Sequence, residues 1–110
     1  MYQLTFYVPV THLEQVKNAL FKAGAGKIGD YDCCAWQVLG TGQFRPLSGS
    51  TPFLGALEQL HSVAEYKVEM VCANAYIKTV LQVLIAQHPY QTPAYSVHAI
   101  KTLDDFACDC

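Results

Sequence analysis

The sequence predicts an α+β fold in which two helices cover one face of a four-stranded antiparallel sheet. Two observations carry this prediction. Segments with apolar side chains at every second position, typical of strands, are interspersed with segments of about 3.6-residue periodicity, typical of helices. The segments follow the order β-α-β-β-α-β along 110 residues. A chain of this length is sufficient for one such domain and too short for two.

The first β-α-β unit is predicted from residue 2 to residue 39. Apolar side chains alternate over residues 2–9, which predicts a strand that Pro9 ends. Thr11 and Glu14 have the spacing of a capping box, in which a hydroxyl and a carboxylate satisfy free amides at a helix start. We therefore expect a helix to about residue 23, followed by a glycine stop and a second strand over about 31–39.

The second unit is predicted from residue 64 to residue 101. A third strand covers 64–72, and Asn74 is the expected N-cap of a helix over about 75–87. Pro89 prevents that helix from continuing. A last strand spans about 95–101. Two β-α-β units in this order predict a ferredoxin-like arrangement, whose helices cover one sheet face and leave the other open.

The predicted connection between the second and third strands, residues 40–63, is unusually long. Loops beyond about 12–15 residues are uncommon in a compact domain and are often functional. Four of the seven glycines and two of the five prolines lie between residues 40 and 55. We therefore predict one domain over residues 1–101 with this long connection, followed by an acidic, mobile tail over 102–110.

Composition narrows the classes of function. Apolar residues make up 52% of the chain and charged residues 15%, with a net charge of −2. The low charge content suggests that self-association covers part of the surface, and the acidic balance argues against nucleic-acid binding. No secretory signal or membrane span is predicted. The five cysteines contain no C-x-x-C pair, so we expect a cytoplasmic protein with reduced thiols.

Two soft donors close to the C-terminus, Cys108 and Cys110, are the candidate metal ligands. Thiolates suit a copper or zinc ion. Two thiolates supply half of a tetrahedral site, so His88 or another group would have to complete it. A tail with two free thiols explains the same motif. Cys33 and Cys34 are adjacent on a predicted strand and point to opposite faces, which makes joint metal binding difficult.

A second candidate site would bind a small ligand. Gly42 and Arg45 could hold an anion through backbone amides and a guanidinium, although ordinary turns explain the glycines equally well. His88 either caps a helix or, with Tyr90 and Tyr95, contributes to the ligand site. The sequence contains no recognisable nucleophile-base or carboxylate pair in a catalytic setting, and we therefore predict that the chain is not an enzyme.

Four motifs together resemble one protein family. They are Tyr7-Val8-Pro9-x-x-His12-Leu13-Glu14, Gly24-Ala25-Gly26-x-Ile28-Gly29-x-Tyr31, the run from Gly40 to Gly55, and His88-Pro89-Tyr90-x-x-Pro93-Ala94-Tyr95. The combination resembles the PII/CutA-like domain inserted in bacterial NGG-interacting-factor-type proteins, which are often labelled type 2 GTP cyclohydrolase I. The same unit is also found as stand-alone proteins of about this length. The resemblance covers residues 4–101.

The resemblance implies a fold similar to PII signalling proteins and CutA, which are typically trimeric. The long connection then corresponds in place to the PII effector loop. We expect a non-enzymatic homo-oligomer, with a trimer favoured, that binds a small ligand or metal ion at a subunit cleft and signals to a protein partner. Ligand binding near Arg45 and the 88–95 turn would order the loop. Two alternatives stay open: a structural accessory domain that assembles with or caps a partner enzyme, and a copper- or zinc-binding tolerance protein.

Overall fold

A computed structural model describes residues 1–107 of the chain. The strands are β1 (Tyr2–Pro9), β2 (Trp36–Phe44), β3 (His61–Cys72) and β4 (Tyr95–Ala99), and the helices are α1 (Leu13–Lys22) and α2 (Ile77–Gln87). Short 3-10 turns occupy Val10–His12 and Leu103–Asp105. The element order confirms the predicted α+β class.

The four strands form one antiparallel sheet in the order β2-β3-β1-β4. At its centre, Phe6 of β1 pairs with Val68 on one side and with Tyr95 on the other. Because β1 and β3 are neighbours although they are not consecutive strands, each β-α-β unit contributes one central strand. This interleaved order is that of the ferredoxin-like fold.

The core lies between the sheet and the two helices. Each element contributes the apolar side chains on one face, as the periodicities predict. The buried side chains are Leu4, Phe6 and Val8 from β1, Val68, Met70 and Cys72 from β3, Leu13, Val16 and Leu20 from α1, Val80 and Leu84 from α2, and Ala25. Fully burying one large aliphatic side chain stabilises the fold by about 1.5–3 kcal/mol, so this cluster is the main source of stability.

β2 lies five residues later than predicted. The sequence predicted residues 31–39, whereas the strand is Trp36–Phe44. The preceding segment folds into a compact turn in which Ile28 and Tyr31 exchange two backbone hydrogen bonds of 2.9 Å. Cys33 then adopts a positive φ of 53°, which an extended strand does not contain. The β2–β3 connection therefore spans residues 45–60 in place of 40–63.

The predicted helix caps are wrong. The Thr11 hydroxyl bonds to the ring of His12, 2.8 Å from Nδ1, and does not bond to a helix amide. Asn74 accepts a hydrogen bond of 2.6 Å from the amino terminus of Met1. Neither α1 nor α2 has a side-chain cap. Thr11 thus bonds to its sequence neighbour and Asn74 to a residue distant in sequence, and neither side chain caps a helix.

A capping box does occur within the predicted tail. Thr102 and Asp105 form it around the 3-10 turn Leu103–Asp105, where the Thr102 amide donates to Asp105 Oδ2 over 2.7 Å. Cys108 and Cys110 lie outside the described residues. Among residues 1–107, no helix combines the length and the apolar character that crossing a membrane requires.

The sheet face opposite the helices is uncovered, as predicted. Its register aligns Trp36 with Glu69 and Val38 with Lys67. The exposed fraction of Trp36 is 59% and that of Val38 is 44%. The β2–β3 pair also extends past the end of β1, which gives the described chain an elongated shape of 61 × 25 × 24 Å.

Candidate functional site

A cleft of about 430 Å³ opens at the end of the β2–β3 hairpin. Tyr7, Phe44 and Glu65 contribute its sheet side. The remaining walls come from the 45–54 part of the loop and from the 90–94 turn after α2. Its apolar loop side chains are Pro46, Leu47, Pro52, Phe53 and Leu54. A concave, mainly apolar surface with a few polar groups is typical of small-ligand sites.

Tyr90 is the centre of an aromatic cluster on the cleft wall. Its ring centroid lies 6.2 Å from that of Phe44 and 6.3 Å from that of Phe53, with interplanar angles of 42° and 45°. The His88 ring packs 4.8 Å behind it. These contacts connect β2, the loop and the turn after α2, so the wall depends on three separate segments of the chain.

A tyrosine–carboxylate pair lies beside this cluster. Tyr90 Oη donates to Glu65 Oε2 over 3.2 Å. Burial, followed by the charge of Glu65 and this hydrogen bond, raises the pKa of Tyr90 to about 12, so its hydroxyl is a donor at neutral pH. A Cβ atom at Gly42 would overlap the Glu65 carboxylate. Gly42 therefore leaves the space that this carboxylate occupies.

His88 holds the 88–94 turn against the sheet. Its Nε2 lies 2.6 Å from the backbone oxygen of Tyr7, and its Nδ1 accepts a 3.1 Å hydrogen bond from the Tyr90 amide. An accepting Nδ1 assigns the proton to Nε2, which donates to Tyr7. Burial lowers the pKa of His88, while the hydrogen bond to Tyr7 raises it and His12 lowers it further. The ring is therefore neutral and fully hydrogen-bonded.

The loop is held by Glu58 and Gln91. The Glu58 carboxylate pairs with Arg45 Nη2 at 3.4 Å and accepts a hydrogen bond from the Ser48 amide at 3.1 Å. Gln91 Oε1 accepts from the Thr51 amide at 2.8 Å, joining the loop to the turn. The loop has a defined conformation, and the guanidinium of Arg45 already has an anionic partner.

The structure brings four of the five predicted ligand residues to this region. Arg45 and Tyr90 line the cleft. Gly42 lies under the adjacent carboxylate, and His88 packs behind Tyr90. Tyr95 lies on β4, where it pairs with Phe6, and it does not line the cleft. Their roles in ligand binding stay predictions.

Glu65 and Gln91 are two of the polar cleft residues that the sequence analysis did not select. Glu65 follows the same alternation as Lys67 and Glu69 on β3, so no local signal separates it from two ordinary surface charges. What distinguishes it is its position beside Gly42 and opposite Tyr90, which only the strand register and the α2–β4 turn create.

The described part of the chain contains no group of three His, Cys, Asp or Glu side chains arranged to hold a metal ion. The predicted ligand His88 uses both ring nitrogens in hydrogen bonds, so a metal would have to displace Tyr7 or Tyr90 from it. Cys108 and Cys110 lie beyond residue 107. Copper or zinc binding stays a prediction from the sequence.

Comparison with known proteins finds relatives in which one segment matches this chain. It is 45% identical over 94 residues to the GTP cyclohydrolase 1 type 2 homolog of Mycobacterium leprae, covering 86% of this chain and 24% of that relative. It is 40% identical over 100 residues to the homolog of Halalkalibacterium halodurans, covering 91% and 27%. The chain thus spans about a quarter of the length of these curated relatives. No family model matches it.

Solved structures agree with this placement. The Bacillus cereus protein related to NIF3 superposes with a TM-score of 0.78 at 35% identity, covering 92% of this chain and 26% of that one. CutA1 from Pyrococcus horikoshii superposes with a TM-score of 0.68 at 13% identity, covering 96% and 88%; this identity shows a common fold alone. The fold is that of a PII/CutA-like domain.

The chain is a relative of one segment of the NIF3-type GTP cyclohydrolase 1 type 2 homologs. The predicted resemblance to the PII/CutA-like domain of that family is thereby confirmed.

Proposed function

We propose that this chain is a non-enzymatic binding domain that takes a small molecule into the cleft and passes the bound state to a protein partner through the 45–60 loop. The observation that supports this most is the origin of the cleft walls. Phe44 belongs to the sheet and Phe53 to the loop, and both line the same cavity. A ligand that contacts both would couple its binding to the loop position.

The contacts that hold the loop are weak enough for a ligand to shift them. Arg45 and Glu58 are each more than half exposed, and exposed ion pairs of this kind contribute about 0–1 kcal/mol. The Thr51–Gln91 hydrogen bond is exposed as well. Because the loop already has internal hydrogen bonds, we propose a shift between loop conformations in place of the disorder-to-order change expected from the sequence.

The proposal includes a homo-oligomer, for which the resemblance to PII and CutA favours a trimer. The uncovered apolar positions of the sheet, Trp36 and Val38, support self-association. In a trimer the cleft would lie close to a neighbouring subunit, as the sequence analysis expected. We also propose a cytoplasmic location and a copper or zinc ion bound by Cys108 and Cys110, as predicted from the sequence.

The accessory-domain alternative differs in a measurable way. A domain that only assembles with or caps a partner enzyme needs the exposed sheet or loop but no occupant in the cleft. It predicts a co-purifying protein and no retained small molecule.

Native mass spectrometry of the protein, purified from cells under reducing conditions, tests the proposal. We expect an oligomer whose subunits retain a small molecule, identified by mass. Phe53→Ala, which removes one cleft wall, should lose that molecule. Leu60→Ala should keep it, because Leu60 is exposed in the same loop and does not line the cleft. Wild-type protein without a bound molecule but with a co-purifying partner protein would overturn the proposal in favour of the accessory domain.

A further inference from the structure

The charges and rings of the cleft indicate what it binds. Resting on the proposed function, we propose that the cleft binds a small organic cation, with an ammonium or quaternary ammonium group held between the aromatic wall and the Glu65 carboxylate. This proposal replaces the sequence-based expectation that Arg45 holds an anion in the cleft.

The charge balance around the cleft is negative once Glu58, which pairs with Arg45 outside the lining, is counted with the lining residues. Its lining contains one cationic side chain, Arg45, and one anionic side chain, Glu65. The guanidinium of Arg45 is paired with Glu58 at 3.4 Å, which offsets its charge. Glu65 forms no ion pair with a lysine or arginine among residues 1–107. An entering anion would meet an uncompensated carboxylate, whereas a cation would provide its counter-charge.

The Glu65 carboxylate is positioned for such a ligand. The residue is half-buried at the start of β3, where water screens its charge less than at an open surface. Tyr90 donates to Oε2. Oε1 has no hydrogen-bond donor within the part of the chain that the structure describes. Oε2 is therefore held by the tyrosine, and Oε1 lies against Gly42, where a Cβ atom would overlap it.

Aromatic faces supply the second element of cation recognition. Tyr7, Phe44, Phe53 and Tyr90 all line the cavity. The tilts of 42° and 45° on either side of Tyr90 make a bent wall. Ring faces carry negative potential, and they attract a cation more strongly where the ring is partly desolvated. Several rings with one carboxylate suit a cation that has few hydrogen-bond donors of its own.

Isothermal titration calorimetry with a matched pair of probes tests this inference. Choline carries a trimethylammonium group, and 3,3-dimethylbutan-1-ol replaces the charged nitrogen with carbon at nearly the same shape. We expect choline to bind at least tenfold more tightly than the alcohol. Glu65→Gln should remove that preference, because it keeps the side-chain shape and removes the charge. Glu69→Gln, on the same strand and sheet face but outside the cleft, is its control.

Two further variants keep the test informative if Glu65→Gln fails to fold. Phe44→Leu should weaken choline binding severalfold and leave the binding of the alcohol nearly unchanged, since it keeps an apolar wall. Gly42→Ala should weaken choline binding by displacing the Glu65 carboxylate. Gly40→Ala should not, because a Cβ at Gly40 meets only the backbone oxygen of Glu65, at 4.0 Å.

The outcomes separate this inference from the proposed function. Equal binding of choline and the alcohol, or binding of inorganic phosphate that Arg45→Gln abolishes, would overturn the cationic preference while the cleft remained a ligand site. No binding of choline at millimolar concentration would also overturn it. If native mass spectrometry in addition finds an empty cleft, the proposed function fails as well.

Discussion

His88 makes three structural hydrogen bonds, one through its backbone amide and two through its ring. Its amide donates to the Leu84 carbonyl at the end of α2, and its ring contacts Tyr7 and Tyr90. Pro89 follows and stops the helix, which places Tyr90 on the cleft wall. The histidine therefore positions one wall of the cleft that we propose as a ligand site.

His88 makes stability depend on pH. Its pKa is lowered in the folded protein, mainly by burial, so below the ordinary value of about 6.5 the unfolded chain binds more protons. We expect the free energy of unfolding to fall as the pH drops from 7 to 5, with a slope from this residue of at most about 1.4 kcal/mol per pH unit.

Urea denaturation at a series of pH values measures this effect. His88→Gln, which keeps polar contacts but does not titrate, should show a flatter pH dependence than the wild type. His98→Gln, at an exposed position on β4, is the control for replacing a histidine with glutamine. Equal slopes for wild type and His88→Gln would contradict the assignment of a neutral, buried imidazole.

At the scale of elements, the crossover from α1 to β2, residues 23–35, is held in place by backbone geometry more than by apolar burial. Gly26 donates to the Val71 carbonyl and accepts from the Cys34 amide, both over 2.8 Å. Its φ is +81°, and a Cβ there would approach the Phe21 ring to 2.8 Å and the Cys34 oxygen to 2.9 Å. A glycine is therefore needed where this crossover passes against β3 and the end of α1.

Two glycine substitutions separate backbone strain from steric contact in this crossover. Gly29 also has a positive φ, +56°, but nothing lies within 4 Å of its Cβ position. Gly29→Ala should therefore cost about 1 kcal/mol, from the backbone alone. Gly26→Ala should cost about 2–4 kcal/mol, because the new methyl group also meets backbone.

Thermal or chemical denaturation of both glycine variants gives these costs. A Gly26→Ala protein as stable as Gly29→Ala would show that the crossover can move away from β3, and would contradict the close approach described for Gly26.

The whole molecule is longer than a compact chain of its size. Its radius of gyration is 16.2 Å, whereas a compact globular chain of this length has about 13 Å. The β2–β3 hairpin, which projects past the end of β1, contributes to the difference. The hairpin and the uncovered sheet place apolar and backbone groups at a surface that a second copy of the chain would cover in the proposed homo-oligomer.

Trp36 tests whether the open sheet is an interface between copies. Trp36→Glu places a second carboxylate opposite Glu69 on this face, and we expect the proposed oligomer to dissociate to smaller species because burying an unpaired charge is costly. Size-exclusion chromatography with light scattering reports the mass. Tyr31→Glu is the control, since Tyr31 is 75% exposed and lies outside the sheet. An unchanged mass for Trp36→Glu would move the interface away from this face.

Much of the fold was predictable because the spacing of apolar residues along a helix or strand can be recognised without knowing any long-range contact. β1 was predicted at its observed bounds, and α1, α2 and β3 within a few residues. The failures occur at strand and helix ends, where hydrogen bonds that periodicity does not report, some local and some to distant residues, decide the outcome. Asn74 bonds to Met1 instead of capping α2, and the turn between Ile28 and Tyr31 delays β2.

For the candidate site, the sequence by itself determined the ingredients: a long glycine- and proline-rich connection, the His-Pro-Tyr turn, and aromatic residues near both. Only the tertiary structure decided the chemistry. It paired Arg45 with Glu58 and brought Glu65 of β3 beside Gly42 of β2 and against Tyr90 from the turn after α2. The physical reason is that charge at a site is a sum over neighbours in space, and these neighbours are up to 25 residues apart along the chain.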